Sequence, residues 1–156
     1  MEPNRFMVRC AVHLFLIKDG KVLVEKRKNR EYGNNQYDVI ASHIIGNENV
    51  FDAIIRTAKV EVNIDVKKED LKIVQVMQQK SEPYEYVNYF FVASNYTGEL
   101  RNNDPDYCDG IEWVEFNYPI ENMMPYINEA IKNYLVDPNN TFTFYGWNED
   151  TSQKLI

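Results

Sequence analysis

The segment from Asn49 to Asn63 constrains the fold most, because it carries the apolar face and both ends of one helix. Apolar side chains recur there at every fourth position, as Val50, Ile54, Ala58 and Val62. This period places them on a single stripe of a helix. Asn49 is a preferred N-cap, and Asp52 stands where a capping-box acid would stand. Asn63 suits a left-handed C-cap. We therefore predict a helix over residues 50–62 that packs against a hydrophobic surface.

Apolar runs on both sides of this helix predict strands. The runs are rich in Val, Ile, Leu and aromatic residues and cover residues 7–17, 21–27, 37–41, 71–78, 85–94 and 111–116. Asp19-Gly20 separates the first two runs and is the strongest short signal for a β-hairpin. The polar stretches 28–35 and 97–109 are predicted to be loops. Pro125 suits the first turn of a C-terminal helix over about residues 125–135. The aromatic tail, residues 141–147, is expected either to pad the core or to line a pocket.

The length of 156 residues suits one domain, and the sequence contains no internal repeat or low-complexity linker. Strands, a helix, more strands and a second helix indicate an α/β (α+β) arrangement. We predict a single domain over residues 1–156, in which a mixed β-sheet is sandwiched between helices.

Charge and cysteine usage narrow the class of partner and the compartment. The formal net charge of −7 repels a phosphate backbone, so a nucleic-acid polymer is an unexpected partner. A small anion can still bind in a locally basic cleft. The two cysteines, Cys10 and Cys108, are far apart and are expected to be reduced thiols. The early apolar run 11–17 is too short to cross a bilayer, and the first residues lack a basic signal-peptide region. We therefore expect a cytoplasmic protein that does not bind membranes.

Residues 42–64 resemble the Nudix box, the signature of the Nudix hydrolase family (MutT-like). That box reads glycine, five residues, glutamate, seven residues, then Arg-Glu-apolar-any-Glu-Glu-any-Gly-apolar. The matching positions of this sequence keep the spacing and are Ser42, Glu48, Arg56, Thr57, Ala58, Val60, Glu61, Asn63 and Ile64. The resemblance extends from Gly20 to Trp113. It implies a Nudix fold for the chain.

The box is degenerate, because two of its three helix acids are replaced. In the family these acids lie three and four residues apart, so they share one helix face that binds a divalent metal. The corresponding face here consists of Thr57, Val60 and Glu61. The changes at the two glycine positions are milder, because serine is small and asparagine tolerates the left-handed cap at residue 63.

The resemblance implies a hydrolase that attacks the diphosphate of a nucleoside diphosphate derivative, or of a nucleoside triphosphate, with water. Mg²⁺ or Mn²⁺ would assist the attack. The implied catalytic residues are Glu61, Glu48 and Arg56. The implied metal ligands are Glu61, Glu48 and Asp106, with Asp104 and Asp109 as alternative loop acids. Arg27 and Tyr37 are the candidate substrate-binding residues, and the expected partner is a small nucleotide-type ligand.

Several alternatives accompany these expectations. Glu48 and Arg56 could instead form a structural salt bridge, and His13 and His43 are expected to be structural. The loss of box acids could leave an inactive Nudix-fold module that binds a nucleotide or has a regulatory role. Isoprenoid diphosphate isomerisation, a third activity of this fold, would require a reactive cysteine, and the sequence gives no indication that either cysteine is activated. A homodimer is compatible with the sequence. Lys28, Tyr32 and Trp147 are further residues that could contact a nucleotide.

Overall fold

The structure of the chain is a computed structural model that describes residues 3–147 and 153–154. The helices are α1, Val50–Val62, and α2, Pro125–Val136, and a short 3-10 helix covers Lys68–Asp70. The strands are β1 Arg9–Phe15, β2 Ile17–Lys18, β3 Lys21–Arg27, β4 Tyr37–Asp38, β5 Ile40–His43, β6 Leu71–Gln79, β7 Ser81–Glu82, β8 Tyr86–Ala93, β9 Cys108–Glu115, β10 Phe142–Tyr145 and β11 Gln153–Lys154. In the described residues no helix has the length and apolar character needed to span a bilayer.

Helix α1 has the predicted bounds and the predicted caps. The side chain of Asn49 accepts a hydrogen bond from the backbone N–H of Asp52 at 2.9 Å, and the Asp52 carboxylate accepts from the Asn49 N–H in return. Asn63 ends the helix in the left-handed conformation, with φ of 62°. These caps satisfy backbone groups that a helix end otherwise leaves unpaired. The helix that carries the box is therefore fixed at both ends by local sequence.

The main sheet is mixed and lies between the two helices, as predicted. Its strand order is β10-β6-β8-β1-β5. β1 pairs in parallel with β8 and antiparallel with β5. Val12 and Leu14 of β1 belong to the core cluster that contains α1, whereas Phe15 belongs to the cluster that contains α2. Alternate residues of a strand point to opposite faces, so each face of this sheet is covered by one helix.

A second sheet is centred on β3 and positions most of the candidate site. β3 pairs with β2, β4 and β9, all antiparallel. The predicted hairpin is present: Asp19 and Gly20 have φ of 53° and 75°, and they connect β2 to β3. The pairing of β3 with β4 places Glu25 directly opposite Asp38. Side chains of directly opposed residues lie on the same face of the sheet, so these two acids are neighbours.

The structure differs from the sequence-based expectations at four places. The predicted strand 37–41 divides into β4 and β5, because Tyr37 and Asp38 pair with β3 in the second sheet whereas Ile40–His43 pairs with β1 in the main sheet. The predicted strand 7–17 divides after Phe15, because the chain leaves the main sheet there and Ile17 pairs with β3 in the second sheet. The predicted strand 111–116 begins earlier, at Cys108, because its pairing with β3 extends to Arg27. The aromatic tail forms β10 at the edge of the main sheet, where Phe142 and Phe144 are exposed. The tail therefore completes the sheet rather than filling the core with those two rings.

Candidate active site

The loop between β5 and α1, which belongs to the box, is held against α1 by the side chains of Glu48 and Arg56. The Arg56 guanidinium donates to both carboxylate oxygens of Glu48, at 2.7 and 3.0 Å, and to the carbonyl of His43 at 3.2 Å. The Glu48 carboxylate also accepts from the N–H of Ile45 at 2.9 Å. The hydrogen bond from Arg56 holds the pKa of the Glu48 carboxyl below its usual range. This two-pronged arrangement supports the structural alternative for the pair, because both charged groups are engaged with the loop itself.

Two of the departures from the family box touch each other. The hydroxyl oxygens of Ser42 and Thr57 lie 2.6 Å apart. Thr57 is buried and also donates to the carbonyl of Ala53 at 2.6 Å. A serine in place of the box glycine and a threonine in place of the first box acid therefore form one hydrogen-bonded unit. This unit occupies the space between the loop and the helix with uncharged groups.

The retained box acid, Glu61, is buried rather than solvated. Glu61 is 5% exposed, whereas Val60, which replaces the adjacent acid, is 52% exposed. The Glu61 carboxylate accepts from the backbone N–H of Ala41 at 3.1 Å. Val60 therefore lies at the solvent-exposed edge of the box face of α1, whereas Glu61 lies at its buried edge, beside Glu25 and Arg27 of the second sheet. A box carboxylate is thus present, but it lies inside the protein.

Glu25 of β3 and Glu61 line the same small cavity, where their carboxyl groups interact. Burial, followed by repulsion from Glu61, raises the pKa of Glu25 well above its usual value. Burial also raises the pKa of Glu61, to about 7, against the lowering effect of the adjacent Glu25 carboxyl. Glu25 is therefore the protonated member of the pair at neutral pH, since two adjacent buried carboxylates cannot both be charged cheaply.

Asp38, the neighbour of Glu25 across the strands, is neutralised by Arg27. The Arg27 guanidinium donates to the Asp38 carboxylate at 2.6 Å, and the two side chains are 14% and 7% exposed. Arg27 also donates twice to the carbonyl of Tyr32, at 3.0 and 3.2 Å. One buried guanidinium therefore compensates an acid in the sheet and holds down the loop that follows β3.

Arg30, in that loop, lies between the box helix and the loop that precedes β9. Its Nη2 atom is 3.7 Å from a carboxylate oxygen of Glu61 and 3.7 Å from one of Asp104. Its guanidinium stands over the ring of Tyr107, 4.8 Å from the ring centre. The charge nearest to the exposed side of the carboxyl pair is therefore a guanidinium from outside the box.

Glu25, Asp38 and Glu61, together with Arg27 and Arg30, form one charged cluster. A cleft of about 140 Å³ opens beside it. Two positively charged side chains line it, Arg27 and Arg30. Three aromatic side chains also line it: Tyr32, His43 and Tyr86. His43 and Tyr86 are stacked, with ring centres 5.7 Å apart. Arginine groups beside flat rings are suited to an anionic ligand that also carries a ring.

His13 of β1 also lines the cleft and is fixed by two contacts. Its Nε2 atom is 3.0 Å from the hydroxyl of Tyr126, and its Nδ1 atom is 3.3 Å from the carbonyl of Tyr89. Burial lowers the pKa of His13 to about 4. A neutral imidazole between two fixed partners agrees with the predicted structural role, and it places an uncharged donor–acceptor group in the wall of the cleft.

The structure brings only some of the predicted residues together. Glu61 and Arg27 adjoin the cleft, and Asp104 rather than Asp106 approaches Glu61 through Arg30. Asp106 is exposed, and its carbonyl accepts from the side chain of Asn29. Tyr37 packs beside the α2 core, and its hydroxyl donates to the carboxylate of Glu112. It is therefore directed away from the cleft.

Two further residues named as possible ligand contacts have partners on the surface. Lys28 makes an exposed ion pair with Asp109 at 3.6 Å. The indole of Trp147 donates to the carbonyl of Gln78 at 3.0 Å. Of the aromatic candidates, Tyr32 is the one in the cleft wall.

The residues present do not fit the divalent metal that the family uses. The three predicted ligands do not converge: Glu48 is engaged by Arg56, Asp106 faces solvent, and Glu61 is buried beside Glu25. In the part of the chain that the structure describes, no three His, Cys, Asp or Glu side chains are grouped so as to hold a metal ion. Mg²⁺ requires well-placed charged oxygen ligands, and this cluster offers one largely buried carboxylate beside a guanidinium.

Sequence reasoning missed three members of the cluster: Glu25, Asp38 and Arg30. Glu25 had a usable signal, because it is an acid at the end of the apolar run Val22-Leu23-Val24. A charged residue in a strand with two apolar faces is expected to be buried and paired. Arg30 had no such signal, because it lies in a polar loop whose course depends on tertiary contacts.

Comparison with known proteins agrees with this architecture. The NUDIX domain model matches residues 7–134 of the chain. This match covers every strand except β10 and β11, and it includes the whole box and most of α2.

Solved structures with the same fold cover most of the chain at low sequence identity. A MutT NUDIX hydrolase from Burkholderia pseudomallei aligns with a TM-score of 0.73 at 19% identity, over 81% of this chain and 98% of that one. A MutT protein from Methanosarcina mazei Go1 aligns with a TM-score of 0.73 at 13% identity, over 83% and 94% of the two chains. A bifunctional NMN adenylyltransferase/ADP ribose pyrophosphatase from Francisella tularensis aligns with a TM-score of 0.69 at 17% identity, over 86% and 43%.

Proposed function

The chain belongs to the NUDIX domain family, and from this premise we propose that it hydrolyses a small nucleoside-diphosphate-type substrate bound in the cleft beside Glu61. The substrate class is either a nucleoside diphosphate linked to another group or a nucleoside triphosphate. The single observation that carries the proposal is the cleft itself, which combines Arg27 and Arg30 with the rings of Tyr32, His43 and Tyr86 next to the retained box acid.

The cleft shares a wall with a smaller cavity that is lined by Glu25 and Glu61, which supports a common site. Arg27, Arg30, Asp38 and Ala41 line both cavities. A diphosphate that contacts this shared wall would be adjacent to the carboxyl pair. The aromatic rings at the outer part of the cleft are suited to a base or sugar. ADP-ribose is one member of this substrate class, and the name of the structural neighbour from Francisella tularensis includes an ADP ribose pyrophosphatase.

The proposed reaction is attack of water on one phosphorus of the diphosphate. A P–O bond forms from the water oxygen, the P–O bond to the bridging oxygen breaks, and the released phosphate group takes the bridging electrons. The water proton goes to the Glu61 carboxylate, whose pKa of about 7 makes it a usable base near neutral pH. Glu25 keeps its own proton beside Glu61. We expect turnover to be slow, because loss of charged catalytic groups commonly costs about 10²-fold or more.

A second candidate is a ligand-binding module without turnover. One specific observation favours it: the hydrogen-bonded Ser42 and Thr57 hydroxyls, together with exposed Val60, occupy the positions of box residues that serve metal-dependent hydrolysis. The same cleft would then bind the nucleotide-type ligand and release it unchanged. A cytoplasmic location and a homodimer are also proposed, on the sequence arguments alone.

The two functions are separated by an assay of binding and hydrolysis on one panel of compounds. The panel contains ADP-ribose and the nucleoside triphosphates, each with added Mg²⁺, with added Mn²⁺ and with EDTA. We expect at least one compound to be hydrolysed, and Glu61→Gln to reduce that rate by about 100-fold because the proton acceptor is lost. Glu115→Gln, an exposed carboxylate on β9, is the matched control and should keep the parent rate.

Binding of a panel member without hydrolysis under any condition would reject the enzyme in favour of the binding module. Absence of both binding and hydrolysis across the panel would reject the proposed substrate class. Equal rates for the parent and Glu61→Gln would place the proton acceptor elsewhere.

A further inference from the structure

The Arg30 guanidinium lies between two carboxylates that belong to different parts of the fold. Its Nη2 atom is equidistant, at 3.7 Å, from Glu61 on α1 and Asp104 in the loop before β9. Its side chain is 34% exposed, whereas those of the two acids are 6% and 24% exposed. The guanidinium therefore covers the acids on their solvent side. A positive charge at this position favours the ionised form of Glu61 and lowers the cost of keeping it buried.

The backbone and side chain of Arg30 are fixed by neighbouring groups. The Asn34 side chain accepts from the Arg30 N–H at 2.8 Å and donates to the Arg30 carbonyl at 3.0 Å. The guanidinium lies over the Tyr107 ring, and Arg27 holds the same loop through the carbonyl of Tyr32. Because these contacts restrict the loop before a ligand binds, a ligand would recover more of the interaction energy with Arg30.

The guanidinium still has N–H groups to offer a ligand. At 3.7 Å, its contacts with Glu61 and Asp104 are charge contacts that exceed hydrogen-bond length. Arginine has five N–H donors in a planar fork that matches phosphate oxygens. Arg27 differs in this respect, because its Nη1, Nη2 and Nε atoms all donate to Asp38 or to the carbonyl of Tyr32. Both arginines line the cleft, but Arg30 is the one whose guanidinium makes no hydrogen bond within the described residues.

We propose that the Arg30 guanidinium takes the place of a divalent cation between Glu61 and Asp104, and that it is the group that binds a phosphate of the ligand. The first part follows from the observation that these acids are not arranged as a metal site, and it does not depend on a bound ligand. The second part rests on the proposed function, because it assumes that a diphosphate enters the cleft. A tethered cation of this kind makes phosphate binding independent of added metal.

The first part is tested by isothermal titration calorimetry, in which Mn²⁺ is titrated into the ligand-free protein. Removal of Arg30 leaves Glu61 and Asp104 without their shared cation, so Arg30→Ala should bind Mn²⁺ about tenfold more tightly than the parent. Arg30→Lys keeps the charge and should bind as weakly as the parent. Lys28→Ala, which removes an exposed cation from the same loop, is the matched control and should not change Mn²⁺ affinity. Equal affinities for the parent and Arg30→Ala would overturn this part of the proposal.

The second part is tested by titration with inorganic pyrophosphate in EDTA. The parent should bind pyrophosphate equally with EDTA and with Mg²⁺, and Arg30→Ala should lose about tenfold or more in affinity. Binding by the parent that requires Mg²⁺, or binding by Arg30→Ala that equals the parent, would overturn it. If the parent fails to bind pyrophosphate at all, this part and the diphosphate-type ligand both fail, while the Mn²⁺ result still decides whether Arg30 replaces the metal. Circular dichroism melts of each variant verify that folding is retained.

Discussion

Replacement of Arg27 by methionine is expected to lower the free energy of unfolding by about 3–5 kcal/mol, because it leaves the Asp38 carboxylate buried without its countercharge. The ion pair is 2.6 Å long, and both side chains are largely removed from water. The same change removes two hydrogen bonds to the carbonyl of Tyr32 and releases the loop that carries Arg30. Methionine is chosen because it keeps most of the side-chain length without the charge.

Urea denaturation of the parent and two further variants measures this effect. Arg27→Met combined with Asp38→Asn should recover much of the loss, since no uncompensated charge then remains inside the sheet. Lys28→Ala breaks an exposed ion pair on the adjacent residue and should cost less than about 1 kcal/mol. A cost below about 1 kcal/mol for Arg27→Met would contradict the structural role. If ligand affinity fell sharply at unchanged stability, Arg27 would be a ligand-binding residue, as the sequence predicted.

The second large effect is a change in the pH dependence of stability when Glu61 is replaced by glutamine. The pKa of Glu61 is raised from 4.5 to about 7 by burial. Stability from such a group is fully present below the unfolded pKa and is lost as the pH rises through the folded pKa. For Glu61 this loss amounts to about 3 kcal/mol between pH 4.5 and 7. Glu61→Gln removes it, so this variant should gain stability relative to the parent as the pH approaches 7.

Two other buried groups, Glu25 and His13, also contribute to the pH dependence of the stability of the parent. Glu25 has a raised pKa and adds to the loss of stability at rising pH. His13 acts in the opposite direction, because burial lowers its pKa from 6.5 to about 4 and its contribution is lost as the pH falls. Two carboxyl groups outweigh one imidazole, so the stability of the parent should fall from pH 4.5 to 7. Asp38, Arg30 and Asp104 surround the pair and are unchanged in the variant.

Thermal or urea unfolding at closely spaced pH values, in parallel for the parent, Glu61→Gln and Glu115→Gln, verifies this prediction. The control carries an exposed carboxylate and should follow the parent. A parent whose stability rises steadily from pH 4.5 to 7, or a Glu61→Gln profile parallel to that of the parent, would show that Glu61 is ionised and solvated. The result also bears on the hydrolysis assay, because a Glu61→Gln protein that is at least as stable at pH 7 cannot lose activity by unfolding.

The agreement between sequence and structure is closest where interactions are local. The bounds and caps of α1 depend on contacts within four residues, between Asn49 and Asp52 at one end and around Asn63 at the other. The Asp19-Gly20 hairpin depends on two residues that accept positive φ. Alternating or continuous apolar runs identified the strands, and the spacing of the box identified the family. These features could be read from sequence because the groups that stabilise them are neighbours along the chain.

The details of the site depended on groups that are distant in sequence, and sequence alone did not determine them. Glu61 was predicted as a metal ligand, but the pairing of β3 with β4 and the approach of α1 bury it beside Glu25 and Asp38. The register of the second sheet, rather than any local pattern, decided that Arg27 would neutralise Asp38. The course of two loops decided that Arg30 and Asp104, rather than Asp106, would meet at the box helix. The sequence by itself determined the family, the helix and the number of acids lost from the box. The tertiary structure decided which charges are buried together, because that depends on strand register and loop course between groups 11 to 74 residues apart along the chain.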